Sequence, residues 1–226
     1  YYYDIYKTSP ATDSEAEVQF SVTYGHIHGS GSLGTKGAAT GNRSSAAIHG
    51  QIVNLLLGPN VDRFTYAADT TSKHFYAISL RRARMREKVD PGNWELQLDG
   101  AANMRSFIDD SGATSNPATG VGGRVFNIVS GSIQSGTAVT HTAAASQAGG
   151  GYGLFYPDMG LIIFNADQLD SKIADITTTT TSNTLGANVP RFFDSIVQGA
   201  LFQARREERL SSTHFFCRAG NKEFNF

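Results

Sequence analysis

Tyr152-Gly153-Leu154-Phe155-Tyr156-Pro157-Asp158-Met159-Gly160-Leu161-Ile162-Ile163-Phe164 is the stretch from which the fold class is read. Two short apolar runs flank Pro157-Asp158-Met159-Gly160, where proline presets φ and glycine is free to take φ > 0, so the segment predicts a β-hairpin. The second run is apolar at every position from Leu161 to Phe164, which predicts a strand buried on both faces.

Downstream of the hairpin, Asn165 or Asp167 can cap a short helix carrying Leu169 and Ile173. Thr177 to Thr181 is too stiff and polar for a helix. Pro190 opens a longer helix with an apolar stripe of Phe192, Phe193, Ile196, Val197, Ala200 and Leu201; Arg205 to Arg209 then reads as its solvated C-terminal end. The chain is expected to return to strand from Thr213 to Arg218. Upstream, Val18, Phe20, Val22 and Tyr24 alternate with polar residues between Glu17 and His28, the period of a half-buried strand. Gly29 to Gly41 is a Gly/Ser-rich loop. Ser44 and Ser45 offer N-caps to an amphipathic helix with Ile48, Ile52, Leu55 and Leu56 on one face, stopped by Gly58-Pro59.

His74 to Leu80 reads as a strand that runs into a basic segment, Arg81, Arg82, Arg84, Arg86 and Lys88. Asp90-Pro91-Gly92-Asn93 carries turn chemistry ahead of the alternating Trp94, Leu96 and Leu98, which predicts a second hairpin. Phe107 to Asp109 and Val125 to Val129 are further strands, and Gly136 to Gly151 lacks large side chains. The plan is α+β: strand-dominated mixed sheets, two to four packed helices and long Gly/Ser-rich loops. It fits one domain over 1–226, with an insertion expected at about 101–150.

The composition narrows the function classes. With 226 residues and 40 % hydrophobic content the chain can bury an ordinary core. Only 17 % of residues are charged and 24 are glycine, which predicts an unusually neutral surface. Neutral surface suits coverage by neighbouring subunits, and equally a loop-rich β protein. A net charge of -1 provides no long-range field for a nucleic acid. Cys217 is the single cysteine, so no internal disulfide forms within the chain, and synthesis in a reducing compartment is expected. No run reaches the length of a membrane span. The chain begins at Tyr1 and stops at Phe226 inside a strand-like run, so a longer gene product is expected.

The motifs point away from catalysis. Gly29-Ser30-Gly31-Ser32-Leu33-Gly34 matches G-x-G-x-x-G after a strand, yet another Gly-rich run follows where a helix must open, and the acidic residue about 20 positions on is missing. Lys36 comes one residue late for a phosphate loop. His26 and His28, two apart on a strand, could share a face as zinc ligands, but His49, His74, His141 and His214 each stand alone in sequence. Cys217, between Phe216 and Arg218, reads as a buried structural thiol. Asp109-Asp110 and Glu207-Glu208 are adjacent and so diverge, unlike a glycosidase pair. The basic segment is expected to meet acidic residues of a neighbouring subunit rather than phosphates, since no second basic stripe accompanies it.

Several segments together resemble virion structural proteins of large contractile-tailed phages, particularly the T4-like and cyanophage group. They are Ala47 to Leu57, Phe75 to Arg82, Lys88 to Leu96, Tyr152 to Ile163, and Phe215-Phe216-Cys217-Arg218 with Phe224-Asn225, in the same order throughout. The resemblance spans roughly Phe20 to Phe226 and is weak in the Gly/Ser-rich middle. It implies a non-enzymatic subunit of the virion tail, of the baseplate first and the neck next, with no cofactor and no carried-over active site. Its implied partners are other tail subunits in a symmetric multi-copy assembly, with no small-molecule substrate and no nucleic acid. The contacts expected are strand edges, the glycine loop at Gly29, Gly31 and Gly34, and Arg81, Arg82, Arg84, Arg86 and Lys88. The alternative is a tail-associated carbohydrate-binding or carbohydrate-cleaving module motivated by Trp94, the tyrosines and the many Asn and Asp residues expected to be exposed, which predicts a concave pocket holding two carboxylates at catalytic distance. A hydrolase using metal at His26 and His28 is the third reading.

Overall fold

The computed structural model describes residues 2–29, 44–99, 104–112, 117–133, 139–141, 151–170, 173, 188–199, 201–218 and 220. Its strands are β1 (Tyr2–Tyr6), β2 (Val18–His26), β3 (Thr65–Tyr66), β4 (Thr70–Thr71), β5 (His74–Leu80), β6 (Lys88–Leu98), β7 (Arg105–Asp109), β8 (Ala118–Gly120), β9 (Gly123–Ile133), β10 (Val139–His141), β11 (Gly153–Tyr156), β12 (Leu161–Asn165) and β13 (Phe202–Glu207). The helices are α1 (Ser44–Leu57), α2 (Arg82–Met85), α3 (Ala166–Leu169) and α4 (Asn188–Val197).

The expected α+β class with strands predominating is what the chain adopts. One curled sheet runs β1-β2-β5-β12-β11-β9-β7-β6-β13, with β8 and β10 laid on β9, while β3 and β4 form a small separate ladder. Every described ladder is antiparallel, where a mixed sheet was expected. The stretch 101–150, where an insertion was expected, contributes β7 and β9 to the path between β11 and β6. Among the described residues no helix is long and apolar enough to cross a membrane.

The hairpin that opened the reading is β11 and β12, with Tyr156 opposite Leu161 and Gly153 opposite Phe164. β12 is flanked by β5 on its other side and is buried at every position, because each face of the sheet carries a core. On one face Phe20, Val22, Tyr76, Ile78, Ile162 and Phe164 pack with Leu169 of α3 and Val189, Phe192 and Ile196 of α4. On the other, Phe75, Ala77, Leu161 and Ile163 pack under Val53 and Leu56 of α1, with Phe64 and Tyr66. The curl brings the sheet's ends together: Phe20 of β2 and Phe202 of β13 meet with ring centroids 4.4 Å apart.

Four local expectations are corrected. α1 forms between Ser44 and Leu57, but its buried line is Ser45, His49, Val53 and Leu56, and Leu55 is 49 % exposed. α1 lies close on β2: a Cβ on Gly25 would stand 3.1 Å from the His49 Cα. Asp90 to Asn93 does not turn the chain back. It bulges out of the single strand β6, since Val89 and Trp94 both pair with β13, opposite Arg206 and Ala204. The turn chemistry itself is present, with Gly92 at φ 81° and its N–H donating to Asp109 Oδ2 at 2.8 Å. Arg205 to Arg209 does not extend α4, which ends at Val197; its first three residues belong to β13, and Gly199 makes the break. Thr213 to Arg218 has strand-like composition but no strand partner among the described residues, and it forms no strand. The threonine run and most of Gly136 to Gly151 lie outside the described residues.

Candidate assembly interface

The basic segment spans the end of β5, the single turn α2 and the start of β6, so its five cations fan out instead of lining one face. Three of them close on this chain's own carboxylates. Arg84 pairs with Glu17, Arg86 Nη1 lies 2.9 Å from Glu208 Oε1, and Lys88 Nζ lies 2.7 Å from Glu207 Oε1. These pairs tie the loop before β2 and the end of β13 to α2 and β6. Arg82 donates to the Asp158 carbonyl at 3.2 Å, which leaves its charge unneutralised. Arg81 has no side-chain partner among the described residues, and both Arg81 and Arg82 are exposed.

Arg81 and Arg82 stand at one end of a groove of about 800 Å³ between α1 and the outer face of β1, β2 and β5. Ile48 and Ile52 of α1, both half-buried and Ile52 at the edge of the core under the helix, line it together with Tyr2, Asp4 and Met159. The groove thus joins an apolar wall to two unneutralised guanidinium groups, a combination suited to a protein partner with an acidic rim. Of the glycine loop only Gly29 is described, at φ 76° in the turn after β2; Gly31 and Gly34 lie outside the described residues.

Two further features were not expected from the sequence. β1 and β13 are the ends of the sheet path, and each lacks a second strand partner among the described residues. Between them lies a seam of about 670 Å³ lined by Ile5, Tyr6, Phe20, Ile196, Val197 and Phe202. After β13, residues 208–218 form an extended arm exposed at every position. Leu210, Phe215 and Phe216 are 91 %, 86 % and 97 % exposed. Cys217 lies on the arm and is exposed, so the expected buried thiol is overturned for the same reason as the expected strand: none of the described residues covers the arm. Alternation within Thr213 to Arg218 is the one signal of the arm in the sequence, and it cannot reveal a missing partner.

The histidines come together more than their spacing suggests. The His26 ring centroid lies 5.9 Å from that of His28 and 5.7 Å from that of His74. His74 bridges Tyr24 and Asp167: its Nε2 is 2.9 Å from Asp167 Oδ1, and its Nδ1 is 2.9 Å from the Tyr24 hydroxyl. With Nε2–H donating to the carboxylate, Nδ1 accepts from the hydroxyl, so both ring nitrogens are occupied. The Tyr76 hydroxyl donates to Asp170 at 2.7 Å. Burial pushes the Asp170 carboxyl up to about 6 and holds His26 down at about 4. His49, packed on Phe75 at 5.3 Å, is likewise lowered to about 4 by burial. The network fastens α3 to β2 and β5. Among the described residues no group of three His, Cys, Asp or Glu side chains is placed to hold a metal.

Trp94 is wholly buried against Phe155, with ring centroids 5.2 Å apart, so it offers no stacking platform to a sugar. Asp109 and Asp110 are buried staples. Asp109 accepts from the Gly92 and Ser111 N–H groups, and Asp110 accepts from the backbone and side-chain amides of Asn127. Compared with known proteins, the chain matches no family model, no curated protein and no solved structure.

Proposed function

We propose that this chain is a structural subunit of a contractile phage tail, of the baseplate first and the neck next, which acts through protein–protein contacts in the virion and carries out no chemistry. The observation that supports the reading best is the arm at 208–218, where Leu210, Phe215 and Phe216 stand almost fully in water. Scattered apolar side chains are ordinary on a surface, but two adjacent phenylalanines almost fully in water on a segment outside the sheet are what a partner surface would cover. The groove at Arg81 and Arg82 adds a second contact surface of mixed apolar and cationic character. Trp94, which motivated a carbohydrate module, is committed to the interior.

The test is co-migration of the purified chain with purified contractile tails of the T4-like group on a density gradient. Stoichiometric co-migration that is lost when residues 208–218 are replaced by a Gly/Ser segment is the expected result. A chain that remains at the top of the gradient overturns the proposal, and a glycan screen then becomes the next measurement.

A further inference from the structure

The seam between β1 and β13 and the arm at 208–218 are complementary, and we infer that the arm of one copy enters the seam of a second copy as an added strand. The seam presents the free edges of two strands, whose N–H and C=O groups want a partner strand, above the apolar floor of Ile5, Phe20, Ile196 and Phe202. The arm presents a six-residue run, Thr213 to Arg218, with alternating sides. Thr213, Phe215 and Cys217 form an uncharged side that suits the seam's floor, while His214 and Arg218 flank Phe216 on the side left to solvent.

The arm does not fill the seam of its own chain. It leaves β13 at Glu207, the end remote from Phe202 to Ala204, which line the seam. Glu208 is held by Arg86 and Arg206, and the Arg209 N–H donates to Glu87 Oε2 at 3.3 Å, which directs the chain along α2 and away from the seam.

An added strand of six residues is held chiefly by main-chain hydrogen bonds to the seam's edges, with Phe215 on the floor contributing roughly 150–250 Å² of apolar burial. Donor and acceptor surfaces differ, so the contact is heterologous, and repeated round an axis it closes a ring. This rests on the assembly reading only in taking copies to lie side by side.

Two measurements decide it. Light scattering on the isolated chain is expected to show a mass that climbs with concentration above 24.3 kDa. The Phe215→Ser/Phe216→Ser variant is expected to remain at one chain mass with unchanged circular dichroism, since both residues are exposed. For disulfide trapping, a chain carrying its native Cys217 is mixed with a differently tagged Val197→Cys/Cys217→Ser chain and oxidised with diamide. A mixed disulfide dimer joining the two tags is the expected product. A Cys217–Cys217 dimer instead, or no product from a chain that stays monomeric, overturns the inference. So does a monomeric Val197→Cys chain that links internally to Cys217, because the arm then closes its own seam. A monomer that still co-migrates with tails leaves the tail reading standing and removes this contact, whereas self-association without tail binding does the reverse.

Discussion

At Gly153 a strand passes so close to its neighbour that no side chain fits. A Cβ there would lie 2.0 Å from the Ile163 carbonyl oxygen and 2.9 Å from the Phe164 Cα, both backbone atoms of the buried β12. Relief would require opening the centre of the sheet, so Gly153→Ala is expected to cost about 4 kcal/mol in urea denaturation, at the top of the range for single substitutions. Gly50 is the opposite case. It sits inside α1 with open space around its Cα, so Gly50→Ala is expected to stabilise by about 0.5–1 kcal/mol in the same measurement. Nothing local in the sequence separates these two among 24 glycines, because the difference lies in what each faces across the fold.

Among the elements, α1 shows how a helix can be legible while its orientation is not. The Gly58-Pro59 stop is local and marks its C-terminal end, but Ser44 and Ser45 lie inside the helix and do not cap it, and Ile48 and Leu55 suggest a face that the sheet does not take. Leu56→Ala is therefore expected to cost about 3 kcal/mol, and Leu55→Ala less than about 0.5 kcal/mol, by urea denaturation. Equal losses would return the helix to the phase read from the sequence. β2, β5 and the β11–β12 hairpin were legible because alternation, apolar runs and turn residues are properties of neighbouring positions. β13 was not, since its charged run becomes a strand only through β6, about 100 residues earlier, which supplies Lys88 opposite Glu207. The basic segment was legible as a cluster, and its division was not: Arg84, Arg86 and Lys88 serve the fold, while Arg81 and Arg82 pair with no carboxylate among the described residues. The Arg81→Glu/Arg82→Glu variant is expected to reduce incorporation into tails about tenfold with unchanged circular dichroism. Normal incorporation would remove the groove from the interface while leaving the arm.

For the whole molecule, stability should depend on pH in a direction set by three buried groups. His26 and His49 sit at about 4 in the fold, below the ordinary 6.5, so between those values the unfolded chain holds protons that the folded chain does not. Their contribution therefore rises with pH through that window. Asp170 acts oppositely: at about 6 in the fold against an ordinary 3.8, it keeps a proton that the unfolded chain has lost, and its contribution falls as pH rises from about 4 to 6. Two histidines outweigh one carboxyl, so the urea midpoint is expected to climb between pH 4.5 and 7, and more steeply in Asp170→Asn. A flat profile would mean that His26 and His49 are hydrated in solution.

The pairing of β6 with β13 also bears on how the chain is made. β6 is complete at Leu98, but its outer neighbour begins only at Phe202. At a synthesis rate of roughly 5–20 residues per second, β6 waits about 5–20 s with that edge bare. During this interval the nascent chain offers chaperones, and other nascent chains, an unpaired strand carrying Trp94, Leu96 and Leu98, and the sheet's high contact order makes its closure the slow event of folding.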